Sequence, residues 1–475
     1  MFAFGGCTEE GTPDDIQYLN DFHKAYFVSQ QDMLDEDSLA LYVDYSTCIS
    51  QAMGDASNPA SPFYVEMVPT LVKATKSYWS IKGSTIAKEQ GNVYSKQKQA
   101  LIDNACEIAK EQGNVYSLLK SVTEVNYADL ATTVNKIANG NTEAVLLTDG
   151  EYYEQTIAKS HVNDPYMSDA IEKWLKRGHD IYIFSEPYVE TYRGSQYEKK
   201  RFYFLFTDCR IEGNIFEMVT RNVDFEKFPD VKYYHLTANN PTLMTTNNQF
   251  NSSSTPDDLL ECTPEGHGSY EIQDWSNMPW KYIEQYIMQS YDETTGKLIP
   301  GGKAVISGLK LDKNFQGGCY RIEDIDLIVS NINQEYTAFV DSIYVGMEPY
   351  QIADCLPIDN LKPKNHFMKL DANEFSNHGN INIHFDTENY DSSILDGSPY
   401  NYFKIDIVVK SFSNNFSHNE TAESIFEFQS IENQNSGEIN RSIAESIKQA
   451  VSRPDVANMI QGRTIYSIYV KSNKY

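Results

Sequence analysis

The stretch Leu39-Ala40-Leu41-Tyr42-Val43-Asp44-Tyr45-Ser46-Thr47-Cys48 decides the reading of the fold. Its apolar, β-branched and aromatic run reads as a buried strand, closed by a carboxylate with a hydroxyl two residues on. The same logic returns at Glu143-Ala144-Val145-Leu146-Leu147-Thr148-Asp149-Gly150. In an open α/β sheet, ligands bind beyond the carboxyl ends of the strands, where the strand order reverses. Asp44 and Asp149, at the ends of neighbouring strands, would set oxygen ligands around one hard divalent cation. Each aspartate taken alone also suits a helix cap, accepting backbone N–H groups at a positive N-terminus.

Around these two strands, helical and extended patterns alternate. Ser61 starts a helix over 61–72 that meets Pro69, and Ser77–Gly83 alternates as a strand does. Asp129–Ile137 and Tyr166–Arg177 read as helices stopped by Gly140 and Gly178. Asp180–Ser185 and Arg201–Thr207 read as strands, and Asn214–Val223 as a closing helix. This alternation predicts an α/β domain over 35–235 with a Rossmann-like, open, mostly parallel sheet flanked by helices. Residues 236–291 lose the pattern and read as a linker, with loops at Asn239-Asn240-Pro241 and Asn251–Pro256 and a short helix over Trp280–Tyr291. Residues 292–475 read as a β-rich, sandwich-like domain. Its expected strands include Lys303–Leu311, Ile325–Val329, Tyr336–Val345 and Tyr402–Val409, followed by one late helix over Glu438–Val451 and a final strand at Thr464–Val470.

A strand ending in Asp44-x-Ser46-x-Cys48, then helices, then Thr148-Asp149-Gly150, resembles the von Willebrand factor A domain. That family carries D-x-S-x-S after its first strand, a threonine before the helix leading into strand four, and an aspartate in a T-D-G turn. The resemblance implies a metal-ion-dependent adhesion site that holds Mg²⁺ and takes an acidic group from a protein or glycan partner. On it the metal ligands are Asp44, Ser46, Asp149 and Thr123, with Thr85 a weaker choice for the threonine. Cys48 stands where the family has its second serine, and a neutral thiol is a poor ligand for Mg²⁺. The resemblance therefore admits a weakened site, one completed by water, or a domain that binds no metal. Tyr152 and Tyr153, just past the turn, fall on the rim as partner contacts or as packing.

Other chemistries find less support. A phosphotransferase of the haloacid-dehalogenase type needs a second carboxylate two residues after the first, where this chain has Ser46. No G-x-S-x-G or Walker pattern occurs, and His161, His179, His267, His366 and His384 lack metal or triad spacing. Ile86–Ser95 recurs unchanged at Ile108–Ser117, a tandem duplication expected to lengthen a helical segment beside the site.

Composition bounds the class. With 475 residues and 41% of them hydrophobic, the chain can bury more than one core, which excludes a wholly disordered protein. A net charge of −28 argues against nucleic acid, whose phosphates need Lys and Arg, and suits divalent cations or basic partners. No apolar run is long enough to span a membrane. Met1-Phe2-Ala3-Phe4-Gly5-Gly6-Cys7 resembles the tail of a bacterial lipoprotein signal, and the acidic Thr8–Asp15 run resembles the surface-export signal of Bacteroidota lipoproteins. That resemblance implies a shortened signal, a lipid on Cys7, and an outer-membrane or cell-surface location with membrane contact only through the lipid. The alternative is a frayed terminus with a chance cysteine, in either case a tether over 1–34. The remaining cysteines form no C-x-x-C pair, so a zinc site is not expected, and their spacing leaves disulfide pairing open. The expected function is extracytoplasmic binding or adhesion. A metal-free structural scaffold is the alternative, and a metal-dependent hydrolase a third.

Overall fold

The computed structural model describes residues 14–28, 32–45, 51–52, 61–89, 127–154, 159–238, 260–262, 268–273, 280–287, 290–291, 294, 298–299, 304–310, 319–358, 368–385, 400–414, 416, 420–431 and 436–474. After helix α1 (Asp14–Phe27), the first unit carries strands β1 (Asp35–Asp44), β2 (Ser77–Lys82), β3 (Thr85–Glu89) and β4 (Thr142–Thr148). A short hairpin of β5 (Tyr153–Glu154) and β6 (Lys159–Ser160) follows, then β7 (Asp180–Tyr192), β8 (Ser195–Thr207) and β9 (Lys232–Leu236). Seven of these form one sheet in the order β3-β2-β1-β4-β8-β7-β9. β2 and β4 flank β1 in parallel, and the other pairings are antiparallel.

Alternation along the inner strands sends side chains into two separate cores. Leu41, Val43, Val145, Leu147 and Leu205 meet α2 (Pro62–Ala74) and α5 (Ile215–Asn222). Ala40, Tyr42, Leu146 and Phe204 meet α3 (Leu130–Ala138) and α4 (Ser168–Lys176) on the opposite face. The helix starts are those expected from side-chain caps. Ser61 Oγ accepts from Tyr64 N at 3.1 Å, Asp129 Oδ1 from Thr132 N at 3.0 Å, and Asn214 Oδ1 from Glu217 N at 3.0 Å. α2 runs through Pro69 to Ala74.

The α/β class is as expected, but the sheet is mixed. No helix separates β7 from β8. Arg193 and Gly194, both at positive φ (51° and 83°), make a two-residue turn whose twist suits a hairpin. The two segments read as short strands therefore extend to pair from Asp180–Thr207 up to Tyr192–Ser195.

Where one late helix was expected over 292–475, the described residues hold six: α6 (Asn333–Tyr344), α7 (Pro349–Cys355), α8 (Ala372–His378), α9 (Glu420–Ile425), α10 (Ser442–Ser452) and α11 (Pro454–Ala457). Its strands are β10 (Leu260–Cys262), β11 (Gly268–Gln273), β12 (Trp280–Ile287), β13 (Ser290–Tyr291), β14 (Leu298–Ile299), β15 (Ala304–Lys310), β16 (Tyr320–Asn331), β17 (Met368–Leu370), β18 (Asn380–Phe385), β19 (Tyr400–Asn414), β20 (Phe428–Gln429), β21 (Ile439–Asn440) and β22 (Thr464–Lys474). They form a five-stranded sheet, β11-β12-β22-β19-β16, and a four-stranded sheet, β10-β15-β18-β17, beside two-stranded ribbons. Within the segment read as a helix over Trp280–Tyr291, Trp280–Ile287 is thus a strand, because β12 lies between β11 and β22, and Ser290–Tyr291 is β13; residues 288–289 lie outside the described residues. Tyr336–Val345 is largely helical and not a strand. Tyr336, Phe339, Val340 and Ile343 recur at helical spacing and pack on one cluster, which overrides their strand propensity.

The halves share one core. α10 packs on α4, and its Ile443, Ala444, Ile447, Ala450 and Val451 belong to the same core as Ile171 and Leu175 of α4. Met167 N donates to Ser446 Oγ at 3.1 Å, and Arg453 pairs with Asp169 at 2.6 Å. No described helix is long and apolar enough to cross a membrane.

α1 is docked on the second half, with Ile16, Leu19 and Phe22 fully buried against Tyr336, Phe339 and Tyr469. His23 Nδ1 lies 2.8 Å from the Tyr469 hydroxyl, and burial, with the nearby Lys404 charge, pushes the imidazole down to about 3. An unfolded histidine takes its proton near 6.5, so the docked form is fully stable above that pH. It loses roughly 1.4 kcal/mol per pH unit as pH falls toward 3. The protection factors of the amides across Ile16–Phe27, that is, exchange corrected for its intrinsic pH dependence, are therefore expected to fall between pH 6.5 and pH 4. In His23→Leu that pH dependence flattens; an unchanged profile in the variant places the titration elsewhere.

Candidate functional site

The chain leaves β1 through α2 to reach β2, then returns through α3 to β4 on the other flank of β1. The strand order reverses between the ends of β1 and β4, the position where open α/β sheets bind ligands. Val43 stands opposite Leu147, which places Asp44 beside Thr148. Thr148 Oγ1 donates to Asp44 Oδ2 at 2.7 Å and accepts from Gly150 N at 3.0 Å. Asp149 Oδ1 accepts from Glu151 N at 3.0 Å, so this aspartate braces its own turn, and β5 rather than a helix follows. Gly150 has φ +72°, and a Cβ there would lie 2.5 Å from Ile443 Cδ1 and 3.0 Å from Phe202 Cδ2. Only glycine fits between the turn and α10.

Behind these two aspartates lies a buried charge cluster. The β7–β8 register brings Glu186 opposite Arg201, Tyr188 opposite Lys199 and Glu190 opposite Tyr197, all at the edge where β4 ends. Lys199 Nζ stands 2.5 Å from Glu151 Oε2 and 3.8 Å from Asp149 Oδ2. Ser430 Oγ donates to the other oxygen of Glu151. Arg201 Nη1 donates to Glu186 Oε2 at 2.8 Å, Tyr203 donates to the same oxygen at 2.9 Å, and Ser61 Oγ donates to Oε1. Asp44, Glu151, Glu186, Glu190, Lys199 and Arg201 are each at most 6% exposed, and the Asp149 side chain is 13% exposed.

Among the described residues the group therefore holds five carboxylates against two cations in contact with them. Burial alone would push the Glu151 carboxyl up, but Lys199 and the hydrogen bond from Ser430 reverse this and hold it low. At Asp149 burial wins over Lys199, helped by the Glu151 charge, and its carboxyl is pushed up. Burial raises Glu190 as well. Of this cluster the sequence reading names only Asp44 and Asp149. The missed signal is opposite charge at equal distance from the Arg193-Gly194 turn, which becomes visible once the hairpin is recognised.

On the rim, the Tyr152 ring stacks on His161 at 5.0 Å and packs against Tyr166 at 4.9 Å, while Tyr153 meets Tyr127 at 6.0 Å. His161 Nε2 lies 3.0 Å from Glu154, and its Nδ1 bonds Asp164. Tyr166 donates to the Gly150 carbonyl at 3.0 Å, tying the rim to the turn. Thr85 opens β3 opposite Lys82, at the carboxyl end of β2. Ser46, Cys48, Thr123 and Cys7 lie outside the described residues. The first copy of the repeat begins in β3, as strand rather than helix, and its remainder and the second copy lie outside the described residues.

A second cluster, Asp180, Asp208 and Cys209, brings its potential ligand atoms within 4.8 Å of one another. Its carboxylates are already satisfied. Asp208 takes His179 Nδ1 at 3.0 Å and Arg210 Nη2 at 2.6 Å, and Asp180 takes His235 Nε2 at 2.9 Å and Cys209 N at 2.8 Å. Burial works against ionisation of Asp208, yet these donors hold it at about 2, while burial and Asp180 push the Cys209 thiol up. This is a brace between β7 and the loop after β8. Comparison of the chain with known protein families, with curated proteins and with solved structures finds no match.

Proposed function

We propose that this chain is an extracytoplasmic, lipid-anchored binding protein that engages a protein or glycan partner where β1 and β4 end. In this reading the mixed sheet is a von Willebrand factor A-type layer and the C-terminal sheets form a sandwich-like second unit. The observation that carries the reading is the excess of buried carboxylate around Asp44 and Asp149 at the point of strand reversal. Crowding carboxylates at depth costs free energy, so a cation that reaches the site would stabilise their charged forms. Asp44 and Asp149 offer the hard oxygen donors that suit Mg²⁺. A bound ion would supply an open coordination position for an acidic group of the partner. Thr148, which holds Asp44 Oδ2, orients that carboxylate, and Tyr152 and Tyr153 border the approach.

A metal-free scaffold is favoured by one feature. Lys199 already stands 3.8 Å from Asp149 Oδ2, where it supplies positive charge from within the chain. Calorimetric titration of the full chain with Mg²⁺ and Mn²⁺ separates the two. Saturable binding in the wild type, weakened about tenfold or more in Asp44→Ala, is the expected result. Absence of binding in a folded wild type selects the scaffold.

A further inference from the structure

α6 ends in an apolar corner that the chain leaves open to water. Tyr344 and Val345 are 71% and 79% exposed, Tyr350 in the first turn of α7 is 49% exposed, and Leu356 just after α7 is 43% exposed. The other exposed large apolar side chains among the described residues, Val189, Tyr233 and Ile328, stand singly on three different strands. α1 runs along the corner, with the Tyr18 ring 5.8 Å from that of Tyr344 and the Tyr26 hydroxyl donating to the Leu356 carbonyl at 3.0 Å. At 1.5 Å of rise per residue, those two contacts lie about 12 Å apart along α1. The charge around the corner has one sign. The sequence carries no Lys or Arg from Ile322 to Leu361, and across α1, α6 and α7 the one such residue is Lys24. Asp341, Glu348 and Asp354 are exposed, and among the described residues none of them forms an ion pair. Exposed carboxylates elsewhere do, as Asp455 with Lys176 at 2.6 Å and Glu217 with Arg221 at 2.8 Å. No basic side chain stands in the last turn of α6, so the partial negative charge of its C-terminus is unanswered within the helix.

We infer that this corner is a docking surface for a basic amphipathic helix of a partner protein. The apolar side chains of that helix meet Tyr344, Val345 and Leu356, and its Lys or Arg side chains meet Asp341, Glu348 and Asp354. Exposed tyrosines offer large contact area at low entropy cost and are enriched where proteins bind one another. The carboxylates beside them draw in a basic partner and repel an acidic one. A helix carries both kinds of side chain on adjoining faces, and a span of about 12 Å corresponds to roughly two of its turns. The single sign of charge disfavours the other occupants. A second copy of this chain would bring the same carboxylates to a shared corner, and an anionic bilayer would repel them. The corner takes no residue from the Asp44–Asp149 edge, so each reading stands or falls without the other.

The test mixes the full chain with a fluorescein-labelled amphipathic helical peptide of leucine and lysine. It follows the anisotropy of the peptide and, by peptide mass spectrometry, the alkylation by iodoacetamide of Cys355, an exposed thiol at the end of α7. The expected result is saturable binding that slows alkylation of Cys355 as the peptide saturates. Val345→Asp, at a side chain open to water, adds attraction for a cationic peptide, yet is expected to weaken binding about tenfold because an apolar contact is lost. Asp341→Asn with Glu348→Gln lowers the association rate and flattens its salt dependence. All these variants keep the far-UV circular dichroism of the wild type. Binding that leaves Cys355 alkylation unchanged, or that is as tight in Val345→Asp, puts the peptide elsewhere on this acidic chain and overturns the corner. Equal binding of a leucine–glutamate peptide overturns the charge assignment. Protection of Cys355 by phosphatidylcholine vesicles, or by raising the concentration of the chain alone, where the peptide gives none, replaces the partner helix with a bilayer or a second copy.

Discussion

Replacing Lys199 by methionine lowers the stability of the folded chain by about 3–5 kcal/mol, the range seen when one partner of a buried ion pair is removed. The stem is kept, so packing against Phe428, over whose ring the ammonium lies at 4.9 Å, changes little. The loss is electrostatic. Glu151 and Asp149 remain in the cluster with no ammonium beside them, and Glu190 loses the cation that moderates it. Without Lys199, burial pushes the Glu151 and Asp149 carboxyls up, so the folded state keeps protons that the unfolded chain releases above about pH 4. A raised folded pKa gives stability that is present at low pH and lost as pH rises, so the deficit is larger at pH 8 than at pH 5. Urea unfolding at both pH values measures this. Glu151→Gln in the Lys199→Met background is expected to restore part of the stability. A loss under about 1 kcal/mol that is the same at both pH values would show that the cluster is open to water.

A chain ending at Leu236 is expected not to fold cooperatively, although it contains every strand of the seven-stranded sheet. α4 is covered by α10, and Ile171 and Leu175 of α4 share a core with Ile443, Ile447 and Val451 of α10. Truncation also removes Phe426 and Phe428, which lie 6.4 Å and 5.8 Å from Phe202, and Ser430, which bonds Glu151. Each large side chain returned to water costs about 1.5–3 kcal/mol. Several together exceed the roughly 5–15 kcal/mol that holds an ordinary domain. Thermal unfolding by circular dichroism and binding of a hydrophobic dye measure the outcome. A sharp transition without dye binding would establish residues 35–235 as an independent unit.

Elements governed by near neighbours were legible in the chain. The apolar runs before Asp44 and Asp149 announce β1 and β4, and Ser61, Asp129 and Asn214 mark helix starts, because a cap acts within three residues. The candidate site was half legible for the same reason, since its two aspartates follow readable strands. Lys199 and Arg201 were not, because their role depends on a hairpin register and on a sheet neighbour some fifty residues away.

By itself, the sequence determined the α/β class, the two strand ends carrying Asp44 and Asp149, and the acidic balance of the chain. Only the tertiary structure decided that Trp280–Ile287 is a strand, that most of Tyr336–Val345 is a helix, and that α10 closes the core of the first half. It alone decided which cations enter the acidic cluster. The reason is one of range. Hydrophobic period and capping are local, whereas pairing with β22, docking on α1 and ion pairing at depth depend on burial created by residues far along the chain.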